Sequence, residues 1–266
     1  MKNLSARYPV WLCDVWGVVH DGHKPIASAV TALEQHRATG GKVVFITNAP
    51  RPMAAIQAHL DHIGVARAAY DAMVTSGDVT QSLMLKRASK GLFHIGPEHD
   101  LSLFEGLDVA RVPLAEAGAV ICTGFHDEAT ETAQDYLPLL QQMLSRKLTM
   151  ICANPDKVVR KGRVLVPCAG AIAEIYEAIG GQVEMAGKPF APIYDLALAR
   201  LANPPRNSVL AIGDGPETDI KGAAQNGLAC VFISGGINTT KNPEAEVRAA
   251  YPLANIVAVM PDLVWA

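Results

Sequence analysis

The chain has 266 residues, half of them hydrophobic, and a formal net charge of −3 at pH 7. That length suits one large domain or two modest ones, and the scattered Lys and Arg residues give no footprint for nucleic acid and no basic run for an anionic membrane surface. No charged-then-apolar leader opens the sequence and no apolar run reaches spanning length, so a cytoplasmic protein with no membrane partner is expected. The five cysteines (Cys13, Cys122, Cys152, Cys168, Cys230) are far apart and lack CxxC spacing, which argues against structural zinc or a disulfide framework and fits a reducing compartment.

Residues 10–13 (VWLC) are an apolar run without polar alternation, the pattern of a strand buried on both faces. The run stops at Asp14, and Gly17 and Gly22 follow in a tight turn. Residues 27–39 read as a helix ended by Gly40-Gly41. A second buried strand, 42–46 (KVVFI), runs into Thr47 and Asn48, and a helix over 53–63 is ended by Gly64. Strand, helix, strand, helix with short connections is the pattern of a parallel α/β sheet.

Next comes a strand-like AAYDAMVTS, with Ser76-Gly77-Asp78 expected to cap a helix over VTQSLMLKRA. Short strands are expected at 91–96, 118–123 and 148–153, a helix with an acidic first turn over 127–142, a break at Asn154-Pro155-Asp156, a helix near 171–179 and a strand at 183–185. Residues 78–186 thus hold an α/β unit of their own, of a size fit for a small domain. The last third returns to the opening pattern: a helix over 193–201, a buried strand 207–212 running into Gly213-Asp214-Gly215, a helix opened by Thr218-Asp219, a strand 230–233 and a final edge strand at 257–259. The expected architecture is a discontinuous core, 1–77 with 187–266, interrupted by an inserted α/β domain, 78–186.

Asp14, Thr47, Asn48 and Asp214 all lie just past buried strands. Parallel strands present their carboxyl ends on one edge, where such sheets open a ligand crevice. Lys188, in a turn between Gly187 and Pro189, is free to point inwards. Two carboxylates in one crevice repel unless a cation joins them. Mg²⁺ suits that need, since it takes hard oxygen ligands, retains waters and binds through one or two carboxylates plus substrate phosphate. A phosphoryl group held by Thr47, backbone amides and Lys188 would then lie open to attack by an Asp.

The segments DVWGVVHDG, FITNAPR, AGKP and IGDGPETDIKGA, in this order, resemble the four motifs of the haloacid dehalogenase superfamily of phosphohydrolases. The TNxxR form of the second motif, the NPD turn, the GKP and the GDGPETDI segment resemble its type IIA subfamily. The resemblance implies a Rossmann-like core, an α/β cap over the crevice, and Mg²⁺-dependent removal of phosphate from a small phosphorylated metabolite. It assigns Asp14 as nucleophile and metal ligand, Thr47 as the phosphate-binding hydroxyl with Asn48 beside it, and Lys188 as the lysine steadying nucleophile and phosphate. Asp214 and Asp219 fall at the metal site, together with the backbone carbonyl of residue 16. Arg51 either reaches phosphate or pairs with a carboxylate. Related caps often mediate pairing, so a homodimer is an expected assembly.

One position departs from the pattern. The first motif is usually DxD, its second Asp protonating the leaving oxygen, and here Trp16 stands there instead. A positioned general acid typically contributes ~10²–10⁴-fold, so two rival readings stand beside the phosphatase. One is a protein that binds a phosphorylated ligand without turnover, and the other is an enzyme for phosphonates or acyl phosphates whose leaving group needs no proton. His20 and Asp21, a few residues on, are candidate replacements as proton donor or else solvated loop residues. Asn154 and Asp156 resemble the cap turn that faces substrate. Phe125, His126 and Asp127 follow a strand end and either line the cap side of the cleft or simply begin a helix.

Overall fold

The computed structural model describes residues 1–87, 90–161, 164–236 and 241–266. In chain order it contains α1 (Lys2–Arg7), β1 (Val10–Cys13), α2 (Ala27–Ala38), β2 (Lys42–Thr47), α3 (Met53–Ile63), β3 (Ala72–Thr75) and α4 (Ser76–Arg87). There follow β4 (Leu92–Ile95), β5 (Ala119–Cys122), α5 (Leu137–Ser145), β6 (Thr149–Cys152), β7 (Val158–Lys161), β8 (Val164–Pro167), α6 (Ala169–Ala178) and β9 (Gln182–Met185). The last third adds α7 (Ala191–Ala199), β10 (Val209–Gly213), α8 (Lys221–Gln225), β11 (Ala229–Ile233), α9 (Pro243–Ala250) and β12 (Asn255–Met260).

Contacts divide the chain into two compact units. The first comprises Met1–Thr47, Gln57–Val74 and Lys188–Ala266, and the second Asn48–Ile56 and Thr75–Gly187. The first unit carries a six-stranded sheet in the order β12-β11-β10-β1-β2-β3, and its β12, β11, β10, β1 and β2 pair in parallel. The chain leaves β1 towards β2 and later returns on its other side as β10, so the direction of strand addition reverses between β1 and β10. That switch point leaves a crevice at the carboxyl ends of the two strands. Trp11, Leu12 and Cys13 are wholly buried, which explains the unbroken apolar run: side chains on both faces of β1 leave water. Each such burial stabilises by ~1.5–3 kcal/mol.

The second unit holds a parallel sheet β4-β5-β6-β9 and the antiparallel hairpin β7-β8. On one face Val120, Cys122, Met150 and Cys152 pack with residues of α5 and α6, while on the other Ala119, Ile121 and Ile151 pack around Met84 and Leu103. β5 is therefore buried on both sides like β1.

Several elements differ from expectation. The helix expected over 127–142 begins only at Leu137, after a 3₁₀ turn at Ala133–Tyr136. Asp127 instead spends its carboxylate on Ala129 N–H and the Thr130 hydroxyl, and Pro138 fits the new first turn. The helix expected at 79–88 starts at Ser76 (Ala88 lies outside the described residues). Its cap is one residue earlier than expected: Thr75 Oγ1 accepts Asp78 N–H while Asp78 Oδ2 accepts Thr75 N–H, a reciprocal box. The helix expected over 193–201 is shifted to Ala191–Ala199, since Pro192 is preorganised for a first turn. The segment after Pro216 is a single π turn before α8. The hairpin and helices α1 and α9 were not expected.

Candidate functional site

The first unit assembles its site from strand ends. The β1–β10 ladder extends by one more bond, Asp14 N–H to the Ile212 carbonyl at 2.8 Å, fixing where Asp14 leaves the sheet. Asp214 immediately follows β10, and Thr47 ends β2. In the β1–β2 register Cys13 lies opposite Phe45, so Thr47 comes one step beyond the level of Asp14. Lys188 follows β9 by three residues and is buried, 2% exposed. Its ammonium donates to Asp14 Oδ1 at 2.6 Å and to Asp219 Oδ1 at 2.7 Å. Asp219 is fixed from its other oxygen, which accepts the Gly215 N–H at 3.0 Å. Carboxylate oxygens of Asp14, Asp214 and Asp219 lie within 4.8 Å of one another, and all three residues are buried.

The electrostatics follow from that crowding. Burial alone would neutralise Lys188, yet the Asp14 and Asp219 carboxylates overcome it and lift the ammonium well above its usual range. Burial pushes Asp219 up to about 6; Lys188 opposes the rise and Asp14 adds to it. Three clustered carboxylates, two of them bonded to one ammonium, are a donor set of hard oxygens with surplus negative charge, which fits Mg²⁺. Two glycines make room for Asp214: a Cβ on either Gly17 or Gly236 would collide with its carboxylate. Gly17 also sits at φ +84°, a left-handed conformation open to glycine. Sequence reasoning missed Gly236, whose loop comes 22 residues after Asp214. It also missed Tyr194, a buried phenol on α7 whose own titration is raised by burial and then by Asp219.

Trp16 and its neighbours turn on themselves. The Trp16 and His20 rings meet edge-on at 5.1 Å, and a Cβ on Gly22 would lie 2.9 Å from the indole. His20 Nδ1 accepts the Gly22 N–H at 2.9 Å. Burial first, then the neighbouring His59, lowers His20 to about 4. His20 is therefore a neutral ring at pH 7. Asp21 is ionised and accepts the backbone N–H groups of His23 and Lys24. Neither group holds an acidic proton at neutral pH, unlike the proton donor considered from the sequence.

The remaining expected residues fall in the second unit. Asn48 donates to Asp156 Oδ1 at 3.1 Å, and Asp156 N–H bonds Asn154 Oδ1, so Asn48 grips the NPD turn. Arg51 Nε stands 4.0 Å from Asp100, a loose pairing of the kind weighed for it. His126 Nδ1 donates to the Gly96 carbonyl at 2.9 Å.

This constellation on a parallel sheet defines a class: an α/β enzyme with a buried acidic metal site and a buried lysine at the switch-point edge. Comparison with known proteins agrees. Residues 11–110 match the family description "Haloacid dehalogenase-like hydrolase", and residues 185–260 match "HAD-hydrolase-like". A hydrolase of the haloacid dehalogenase-like family from Brucella suis is 40% identical in sequence, with 99% of this chain and 98% of that one covered and a TM-score of 0.90. Among curated proteins, D-glycerol 3-phosphate phosphatase of Mycobacterium tuberculosis is 26% identical over all of this chain and 77% of its own length. A structure of glycerol phosphate phosphatase from the same organism, in complex with magnesium, is 25% identical, covers 98% of this chain and 76% of that one, and has a TM-score of 0.75. The chain belongs to the haloacid dehalogenase-like hydrolase family.

Proposed function

We propose that the protein is a Mg²⁺-dependent phosphohydrolase that removes phosphate from a small phosphorylated metabolite through an aspartyl-phosphate on Asp14. The observation that carries this reading is the gathering of Asp14, Asp214 and Asp219 at one sheet edge, with the Lys188 ammonium bridging Asp14 and Asp219. Residues 1–77 and 187–266 act as the catalytic core and 78–186 as the cap that selects substrate. The phosphatase names of the relatives support the same reaction.

Asp14, Asp214 and Asp219, with the Trp16 carbonyl, would hold Mg²⁺, which when bound offsets the charge of the phosphoryl oxygens. Lys188 holds Asp14 in one orientation through its ammonium. Thr47 and Lys188, in the same unit as Asp14, receive the phosphoryl group. An Asp14 carboxylate oxygen bonds to phosphorus as the bond to the leaving oxygen breaks, and the departing alkoxide or aryloxide takes its proton from solvent. Water then attacks phosphorus, giving up a proton to solvent, the Asp14–phosphorus link breaks, and inorganic phosphate departs with the carboxylate regenerated.

Trp16 shapes the substrate range. With no carboxyl at that position and His20 neutral, departure depends on the leaving group's own stability. Aryl and acyl phosphates should therefore turn over faster than alkyl phosphates by ~10²-fold or more. The test is hydrolysis of 4-nitrophenyl phosphate and glycerol phosphate side by side, with Mg²⁺ and with EDTA. Mg²⁺-dependent turnover supports the reading, and no turnover of either ester, nor of a panel of phosphorylated metabolites, would leave a binding protein instead.

A further inference from the structure

The second unit carries a cavity of about 440 Å³ beside edge strand β4, lined in part by Phe93, His94, Glu98, Arg111, Val112 and His126. That size is within the range of small-molecule sites. Its polar groups belong to different segments brought together by the fold. Phe93 and His94 come from β4. Arg111 and Val112 come from a strand-like stretch that runs alongside it, tied by Val112 N–H to the Leu92 carbonyl at 3.0 Å. His126 comes from the loop after β5, and its Nδ1 is committed to the Gly96 carbonyl.

His94 is oriented from behind. Its Nε2 lies 2.9 Å from Thr123 Oγ1, whose hydroxyl also reaches the Ile95 carbonyl at 3.5 Å. With Nε2 engaged by Thr123, Nδ1 is the ring nitrogen left to meet a ligand. Burial lowers His94 to about 4, with the Arg111 and His126 charges adding to the shift. The Arg111 guanidinium supplies the positive charge at that end of the cavity. Glu98 also lines the space, and its charge selects against a polyanion.

We propose that this cavity is a second binding site, taking a small organic monoanion whose charged group meets Arg111, His94 and His126 and whose apolar body lies on Phe93 and Val112. Arginine is suited to planar oxyanions through its fork of donors, and an aromatic and an aliphatic wall reward a ligand with a hydrophobic portion. None of these residues is among the acids, lysine and threonine gathered at the edge of the first unit's sheet.

The test follows the imidazole NMR signals of His94 and His126 in the full chain titrated with phenylacetate, with benzyl alcohol as the neutral arm and inorganic phosphate as the small-anion arm. Both histidines should shift saturably with phenylacetate, and Arg111→Gln should weaken binding by about ten-fold or more, equivalent to ~1.4 kcal/mol. The same variant should hydrolyse 4-nitrophenyl phosphate at the wild-type rate, showing that it is folded. Unmoved signals, equal affinity for benzyl alcohol or inorganic phosphate, or unchanged affinity in Arg111→Gln would each overturn the proposal.

Discussion

Lys188 lies between two acids that repel each other, so its charge carries structure as well as chemistry. Lys188→Met leaves Asp14 and Asp219 buried together without their shared ammonium. Breaking such a pair costs ~3–5 kcal/mol, and a urea melt should show a loss of that order alongside a collapse of hydrolysis. Asp14→Asn is the cleaner chemical probe, because it keeps the volume of the side chain and the Lys188–Asp219 bond. It should reduce kcat for 4-nitrophenyl phosphate by on the order of 10⁴-fold while the circular dichroism stays native. Mg²⁺ should raise the melting temperature of the wild type saturably, by linkage, and Asp214→Asn should shrink that rise; equal rises in both proteins would remove Asp214 from the metal site. At this scale Asp14 and Asp214 were legible because each directly follows a recognisable strand. Gly236 was not, since its reason is the space taken by the Asp214 carboxylate, a neighbour in three dimensions alone.

Among the elements, one carboxylate does two jobs. Asp78 closes the capping box of α4 with Thr75 and also accepts the Met53 N–H at 2.9 Å, at the start of α3. Loss of a cap costs ~0.5–2 kcal/mol, so Asp78→Ala should destabilise by about 2–3 kcal/mol, measurable by chemical denaturation, whereas a change like Lys86→Ala at the far end should be near neutral. The sequence signalled the cap through Ser76-Gly77-Asp78 but not its frame, because Thr75 reads equally well as the last residue of a strand. The β7–β8 hairpin escaped notice for a different reason. Val158, Val164 and Leu165 are exposed, so the strands lack the buried face that gives a strand its alternation. The expected long helix from residue 127 failed because Asp127 found local partners, and short polar side chains compete with helix in this way.

Over the whole molecule, pH acts through histidines kept neutral by burial. His20, His36 and His94 are each lowered from 6.5 to about 4, with burial the leading cause. His36 stacks flat on Trp11 with ring centres 3.7 Å apart, and its Nδ1 meets Ser5 Oγ at 2.7 Å. The unfolded chain accepts protons at these positions below about pH 6.5, whereas the folded chain refuses them until about pH 4. Stability is therefore full above pH 6.5 and declines as pH falls towards 4, at up to ~1.4 kcal/mol per unit for each ring. Asp219, raised to about 6, works in the opposite sense over part of that window and offsets some of the slope. Denaturation at pH 7.5 and pH 5 should show the net loss, and His36→Phe should reduce it. No helix among the described residues is long and apolar enough to cross a membrane.

The sequence by itself determined the strand ends and the order of the motifs, because buried parallel strands write themselves as unbroken apolar runs and the acids that follow them stand out. It thereby determined the family and the α/β class. Only the tertiary structure decided which charges meet. That Lys188 bridges Asp14 and Asp219, residues 174 and 31 positions away, depends on strand order and on the depth of burial, and neither is written in local spacing. Distance along the chain carries no information about distance across a sheet edge.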